Sequence, residues 1–266
     1  MIKIYTFASN RPDFIPLQMR SFLKHSQESI EFTVFNNARF DCSEGADYHA
    51  IREACSAAGV GMIDIQKDPS LIARCQSIEV SCPLFNHRGI YSNANVAHAY
   101  ALRWAWENVI SKERCNVALF DSDVFLVETI KLSTLLEEYV MCNIPDGKPH
   151  PDGELMYMWP TFVLMNLATM PEPETLNWWC GRIKGVPVDV GGQTYHYFQA
   201  HPDLKIYNVP RKHFSDNPDV NFRPSNYDEF YLAGQTVLHY RSGSNWDHKA
   251  PEYHMQKLKW LRGRIG

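Results

Sequence analysis

The sequence lacks the features that would place it in several broad classes. It has no excess of basic residues, since 26 Lys and Arg residues stand against 30 Asp and Glu residues, for a formal net charge of −4. A chain with this balance has no overall positive field to attract nucleic acid, so we expect no nucleic-acid partner. There is no internal repeat, and hydrophobic residues make up 45% of the chain, which excludes fibrous and disordered proteins.

Signals for disulfides, membranes and secretion are also missing. The seven cysteines form no C-x-x-C pair, and an odd number without a pairing pattern is typical of reduced thiols in the cytosol. No hydrophobic run approaches the roughly 20 residues that span a membrane. The first residues, MIKIYTFASNRPDF, begin a strand-like alternation without the apolar segment of a signal peptide. We therefore expect a cytoplasmic protein.

The order of predicted elements indicates an α/β fold. Strands are predicted at Ile2–Phe7, Ile30–Asn37 and 60–66, and helices at 16–26 and 46–59. Strands and helices that alternate in this way form a sheet with parallel strands and helices packed against it. No linker divides the 266 residues, so we expect a single domain.

The next predicted helix has small residues along one side and Ser92 or Asn93 as its N-cap. Its alanines recur every three or four residues, at Ala94, Ala97, Ala101 and Ala105. Such a stripe lets a helix lie close to a sheet. Farther on, we predict an exposed loop at 144–154, a strand at 155–167 and the start of a helix at 171–179.

Two carboxylates, Asp121 and Asp123, directly follow the apolar strand NVALF. Residues two apart in a strand share a face, and in α/β sheets ligands bind at the carboxyl ends of the strands. Because neighbouring carboxylates repel each other, the pair is best explained by a hard divalent cation, Mg²⁺ or Mn²⁺, which would also bridge nucleotide phosphates. A solvated turn with two acids is the alternative.

Two later segments contain further candidates. His239 ends a predicted strand and could complete an Asp–Asp–His metal site, while Arg241 could pair with phosphate. Asp189 precedes Gly191 and Gly192, which permit close approach of the backbone, and its carboxylate could accept a proton from a hydroxyl or bind a sugar. The alternatives are a structural histidine and an aspartate that caps a turn.

These features, in this order, resemble the GT-A class of nucleotide-sugar glycosyltransferases. DSD matches the D-x-D motif of that class, and HYRSGSNW partly matches its terminal H-x-x-G-x-x-K-P-W motif. The chain also resembles uncharacterised bacterial and viral members and, more distantly, glycogenin-like enzymes. The resemblance implies a Rossmann-like nucleotide-binding sheet within a mixed central sheet, fused to an acceptor-binding half. The nucleotide-sugar half would be about 1–125, the acceptor half about 126–246, and 247–266 a basic amphipathic tail.

The resemblance also implies an activity and roles for single residues. A sugar would move from a nucleoside diphosphate sugar, which we expect to be a UDP-sugar, to a glycan, lipid-linked or protein acceptor. Mn²⁺ or Mg²⁺ would be held by Asp121, Asp123 and His239, and Asp189 would be the catalytic acid on the acceptor side. Gln193 would bind sugar. The implied donor-binding residues are Thr6, Phe7, Ala8, Ser9, Asn37, Asp121, Ser122 and Arg241.

The C-terminal segment departs from the family pattern and ends in a basic stretch. The Lys-Pro pair of the family motif is missing, so neutralisation of the pyrophosphate would fall to Arg241 or Lys249. Basic and apolar residues then alternate in the tail: Lys257, Lys259, Arg262 and Arg264 beside Met255, Leu258, Leu261 and Ile265. We predict a closing helix packed on the domain, with a weak membrane-surface contact as the alternative.

Two other functions remain open on the sequence alone. Haloacid-dehalogenase-like phosphohydrolases also place an acid pair after an apolar strand. Their motif has Thr or Val where this chain has Phe125, and it usually lies near the N-terminus. A non-catalytic sugar-binding module is the second alternative, because aromatic and acidic side chains bind sugars without chemistry.

Overall fold

The computed structural model describes residues 1–38, 46–81, 94–214, 226–241 and 251–266. The strands are β1 Ile2–Ala8, β2 Ile30–Asn36, β3 Gly61–Asp64, β4 Asn116–Asp121, β5 Val124–Leu126, β6 Met141–Lys148, β7 Leu155–Asn166, β8 Gly181–Ile183, β9 Val186–Val188, β10 Ile206–Asn208, β11 Arg211–Phe214, β12 Tyr227–Leu232 and β13 Gln235–His239. The α-helices are α1 Phe14–His25, α2 Ala46–Ala58, α3 Pro69–Ser81, α4 Ala94–Asn108, α5 Thr194–Ala200 and α6 Pro251–Ile265.

A seven-stranded mixed sheet forms the centre of the molecule, in the order β10-β6-β7-β4-β1-β2-β3. Strands β3, β2, β1 and β4 are parallel, whereas β7 is antiparallel to both of its neighbours, β4 and β6. The predicted α/β class with a mixed central sheet is therefore confirmed.

Two hydrophobic cores lie on opposite faces of this sheet, because successive side chains of a strand point to opposite faces. Tyr5 and Phe7 of β1 belong to the core with α3 and α4, and Ile2 and Ile4 belong to the core with α1 and α2. The alanine stripe is buried, as predicted, where its side chains are described: Ala101 and Ala105 belong to the first core, and Ala97 is also buried. Ser92 and Asn93, the predicted caps, lie outside the described residues.

A second sheet, in the order β11-β12-β13-β5, adjoins the carboxyl end of β4. Strand β5 begins only three residues after β4 ends, and its Val124 lies opposite His239 of β13. The Tyr240 N–H donates to the Asp123 carbonyl over 2.8 Å. This pairing brings the end of β13 beside the acid pair.

Two predicted elements differ from the structure. The segment Ile144–Lys148 belongs to β6 and not to a loop, because it pairs with β7 after a shift in register at Asn143 and Ile144. Only the following turn, up to residue 154, is irregular. The predicted helix at 171–179 is a single 3₁₀ turn, Pro173–Thr175, since Leu176 is already extended.

The C-terminal helix α6 packs on α1, as predicted. Its Leu258, Leu261 and Ile265 are buried together with Phe14 and Leu17. Across the described ranges, none of the helices combines the length and the apolar character needed to cross a bilayer.

Candidate metal centre

Asp121, Asp123 and His239 lie together at the carboxyl end of β4. One ligand atom from each residue lies within 4.8 Å of the other two. The closest contact is 3.3 Å, between Asp123 Oδ1 and His239 Nε2. Asp123 and His239 are buried and Asp121 is half-buried, so the cluster faces solvent on one side only. Two carboxylates with one imidazole are a donor set that suits Mn²⁺ or Mg²⁺.

Neighbouring side chains fix the position of Asp121. The Thr161 hydroxyl donates to Asp121 Oδ2 over 2.7 Å, and His98 Nε2 lies 3.5 Å from Oδ1. The buried Gln18 amide donates to the main-chain carbonyls of Asp121 and Val124, over 2.8 and 2.9 Å. Two elements therefore hold the turn that carries both acids: α1 through Gln18 and β7 through Thr161.

Behind the cluster lies Asp228 of β12, whose side chain is completely buried. Its Oδ2 is 2.9 Å from His239 Nδ1, and its Oδ1 is 2.9 Å from His213 Nδ1 and 3.6 Å from Arg241 Nη1. Burial alone would raise the pKa of Asp228, but hydrogen bonding to His239 and the charges of His239 and Arg241 lower it below its usual value. Asp228 is therefore a carboxylate, which can only accept hydrogen bonds.

The same contacts determine which ring nitrogen of His239 carries a hydrogen and how the ring is oriented. Because Asp228 only accepts, Nδ1 of His239 carries the hydrogen and Nε2 faces Asp123. Burial by itself lowers the pKa of His239, but the carboxylates of Asp123 and Asp228 outweigh it and raise the pKa to about 9. A cation at Nε2 would have to displace a proton there.

A cleft of about 270 Å³ opens from the cluster toward the carboxyl ends of β1 and β2. Its lining is formed by Phe7, Ser9, Asn37, Asn95, His98, Asp121, Ser122, Asp123, Trp159, Thr161, His239 and Arg241. Six of the predicted donor-binding residues are among them. The side chains of the other two, Thr6 and Ala8, are buried beneath the cleft and do not line it.

Asp189 lies in the turn between β9 and α5, and its side chain does not line this cleft. Desolvation raises the pKa of its carboxyl, and the charge of Asp146 adds to the rise, whereas the Val190 N–H, His98 and Lys148 act against it.

The glycines after Asp189 allow close approach of the backbone, as predicted. Gly191 has φ +81°, and a Cβ there would lie 2.2 Å from the Met158 carbonyl oxygen, so only glycine fits against β7. Gln193, the predicted sugar-binding residue, donates its amide to the Arg182 carbonyl over 3.0 Å.

Four residues at or behind the cluster were not predicted from the sequence: Asp228, His98, Trp159 and Thr161. Asp228 could have been found from the alternation in YDEFYL, where it shares the buried side of β12 with Phe230 and Leu232. The other three carry no such local signal, because they reach the cleft through the packing of α4 and β7. Lys249, the alternative phosphate-binding residue, lies outside the described residues.

Two of the comparisons with known proteins found no match. No protein-family model matches the chain, and no curated protein matches it in sequence.

Solved structures do match. The chain is similar to the apo form of mouse xyloside xylosyltransferase 1, with 13% identity, 78% of this chain and 85% of that chain covered, and a TM-score of 0.45. It is similar to an active-site mutant of LgtC, with 12% identity, 98% and 95% covered, and a TM-score of 0.45. It is also similar to the mannosyltransferase Ktr4p from S. cerevisiae, with 9% identity, 62% and 56% covered, and a TM-score of 0.41. Because these TM-scores are below 0.5, we base the function on the side chains of the site.

Proposed function

We propose that the protein is a metal-dependent glycosyltransferase that moves a sugar from a nucleoside diphosphate sugar to a hydroxyl acceptor. The observation that carries the proposal is the convergence of Asp121, Asp123 and His239 in a cleft at the carboxyl ends of β4 and β1. A cation bound there would lie next to the polar and aromatic side chains that end β1 and β2. A diphosphate joined to a nucleoside matches both parts of that cleft.

Asp121, Asp123 and His239 would hold Mn²⁺ or Mg²⁺. When bound, the cation supplies a Lewis acid that stabilises negative charge on the leaving diphosphate. Arg241 lines the same cleft and would add a guanidinium group, which pairs well with phosphate oxygens. The Thr161 hydroxyl holds Asp121 in place, so this carboxylate would need little reorganisation to bind the cation.

The donor's nucleoside would bind where β1 and β2 end, and we propose UDP as the nucleotide. Phe7 offers a ring, and Ser9 and Asn37 offer polar groups for the base and the ribose. Ser122 lies between the two acids and would contact the ribose or the diphosphate. Thr6 and Ala8 would contribute only main-chain atoms, since their side chains are buried.

We assign Asp189 to the acceptor side. In an inverting reaction it would remove the proton of the acceptor hydroxyl, a role that a raised pKa favours because the carboxylate is then a stronger base. In a retaining reaction it would orient the donor. NMR of the product's anomeric centre distinguishes the two, and Asp189→Asn should lower turnover without weakening the binding of Mn²⁺ and UDP.

In this proposal the chain is one GT-A domain in which residues 1–125 bind the nucleotide sugar and 126–246 bind the acceptor. Within the tail, 247–266, the apolar side of α6 is buried against α1. A membrane-surface contact would therefore depend on the exposed charges of Lys259, Arg262 and Arg264. Sedimentation with anionic vesicles should show weak binding that 0.5 M salt abolishes, and salt-resistant binding would contradict this.

A thermal-shift experiment with Mn²⁺, UDP and UDP-sugars tests the proposed function. We expect UDP and Mn²⁺ together to raise the melting temperature more than either alone, because each ligand binds the native state and the two share a site. Asp123→Asn should remove this joint shift, whereas Glu113→Gln, at the other end of the sheet, should keep it. Hydrolysis of a simple phosphate ester without any shift by UDP would favour the phosphohydrolase instead.

A further inference from the structure

The two oxygens of Asp228 connect the metal cluster to the basic side of the cleft. Oδ2 lies 2.9 Å from His239 Nδ1, while Oδ1 lies 2.9 Å from His213 Nδ1 and 3.6 Å from Arg241 Nη1. We propose that Asp228 is a positioning residue that orients the metal-binding histidine and couples the binding of the cation to that of the diphosphate. This inference rests on the proposed function and adds a residue that no motif marks.

Asp228 has to act through other residues because its side chain is completely buried. Its neighbours in the register of β12 and β13 explain the position, since Asp228 lies directly opposite His239. A buried carboxylate without partners would be strongly destabilising, and here each oxygen has a nitrogen partner at 2.9 Å. Burial and close pairing fix this carboxylate within the sheet.

Asp228 and Asp123 face different ring nitrogens of His239, at Nδ1 and Nε2 respectively. The rings of Trp159 and Phe230 pack against the imidazole, with centroids 5.3 and 5.7 Å away, and they restrict the plane of the ring. That packing is nearly the same if the ring is turned over, which would take Nε2 away from Asp123. The acceptor at Nδ1 selects the orientation in which Nε2 faces the metal cluster, as second-shell carboxylates do for ligating histidines.

The other oxygen holds the basic groups in place. Oδ1 accepts a hydrogen bond from His213 Nδ1 at 2.9 Å and lies 3.6 Å from Arg241 Nη1, so it faces two basic groups. Because the hydrogen of His213 Nδ1 points to Asp228, the 3.0 Å approach of Arg241 Nη1 to that nitrogen is a contact and not a hydrogen bond. Arg241 has φ +62°, a conformation that is costly for a residue with a Cβ and persists only where its surroundings hold it. Because Arg241 lines the cleft, an anion bound to it acts on the same carboxylate that orients His239.

The experiment measures the affinity of Mn²⁺ with and without UDP, by EPR of the free ion. In the wild-type protein, UDP should tighten Mn²⁺ binding by a factor within the usual range of about 5- to 150-fold. Asp228→Asn should weaken binding of Mn²⁺ alone by about 10- to 100-fold and reduce the effect of UDP. Arg241→Gln should bind Mn²⁺ alone like the wild type but lose most of the effect of UDP, and Glu113→Gln should change neither.

The affinities for Mn²⁺ decide separately whether Asp228 orients His239 and whether it couples the two ligands. Wild-type affinity for Mn²⁺ in Asp228→Asn would overturn the orienting role, and an unchanged effect of UDP in that variant would overturn the coupling. If the wild-type protein binds Mn²⁺ but not UDP, the proposed function fails while the orienting role is still measured. If it does not bind Mn²⁺, both fail.

A second measurement does not depend on whether the Asp228 variant folds. In wild-type protein labelled with ¹⁵N and saturated with Mg²⁺, the NMR signals of His239 should show a hydrogen on Nδ1 and none on Nε2. His239→Gln identifies the signals by their loss. A hydrogen on Nε2 in the Mg²⁺-loaded protein would overturn the orientation that we assign to Asp228.

Discussion

The two ends of strands β1 and β4 both carry acidic side chains, but the acids have different partners. At the amino ends, Glu113 accepts from Lys3 Nζ over 2.9 Å and from the Tyr5 hydroxyl over 2.8 Å. Burial would raise the pKa of Glu113, but these two donors lower it below its usual value. A carboxylate matched by a lysine is neutralised within the protein and has no need of a ligand.

At the carboxyl ends, acids face other acids. Asp121 and Asp123 lie in one cluster, and the partners of Asp121 are a hydroxyl and an imidazole. In this cluster a hydroxyl and imidazoles stand where Glu113 has a lysine. In the proposed function a doubly charged ion would complete it. The identity of its partners, more than its burial, distinguishes a carboxylate that stabilises the fold from one that we propose to bind a cation.

The largest expected effect comes from removing one acid of the carboxyl end. Asp123→Ala should lower metal-dependent turnover by at least about 100-fold, since the bound cation contributes several kcal/mol to charge stabilisation. The fold should remain, as judged by circular dichroism and the melting temperature without metal. Full turnover in this variant, measured as UDP release, would contradict the proposal that the acids at the carboxyl ends bind a cation.

The next largest difference between the two ends of β1 and β4 should lie in how the free energy of unfolding, measured without metal, depends on pH. His239 has a pKa of about 9 in the folded protein and about 6.5 when unfolded, so its contribution is complete below pH 6.5 and disappears as the pH rises to 9. Urea unfolding with EDTA should show a loss of at most about 1.4 kcal/mol per pH unit in that range. His239→Gln should flatten this slope, whereas Glu113→Gln should leave it unchanged.

At the amino end, Glu113→Gln should affect stability but not activity. The variant keeps the shape of the side chain but removes the carboxylate nearest to Lys3, while Glu31 remains 3.9 Å away, so we expect a loss of about 1–2 kcal/mol for this half-buried pair. Urea unfolding at pH 7 measures this change. Turnover within twofold of the wild type is expected, and a larger drop would mean that the two ends are coupled.

Two matched hydroxyl deletions give the smallest effects. Thr161→Val and Tyr5→Phe each remove one hydroxyl that donates to a carboxylate, at 2.7 and 2.8 Å. A hydrogen bond of this kind contributes about 1 kcal/mol. We expect Thr161→Val to weaken Mn²⁺ binding roughly fivefold and Tyr5→Phe to leave it unchanged. Calorimetric titration with Mn²⁺ compares them, and equal effects would contradict the assignment of the ends.

The sequence predicted the elements whose pattern is local. Apolar periodicity located β1, β2, β4 and α4, and the position of Asp121 and Asp123 after β4 indicated which edge of the sheet carries the site. Strand β6 was missed because Pro145 and Gly147 are poor strand formers, and the strand exists because β7 supplies its hydrogen-bond partners. Local propensity cannot reveal a partner that lies farther along the chain.

The same reason explains what was found and missed in the site. His239 was predicted because it ends a strand beside a recognisable motif. Asp228 reaches His239 only through the pairing of β12 with β13, and His98 reaches the cleft only through the packing of α4 on the sheet. Side chains that support a ligand from behind depend on the tertiary arrangement, so a linear pattern does not reveal them.

The pairing of β5 with β13 has a consequence for kinetics. Asp123 and His239 come from distant parts of the chain, and bringing such parts together requires closure of a long loop, which favours late assembly. A cation could then not act as a nucleus around which the polypeptide collapses. A bound cation would instead lengthen the lifetime of the native protein. Saturating Mn²⁺ should slow unfolding while leaving the rate of refolding nearly unchanged.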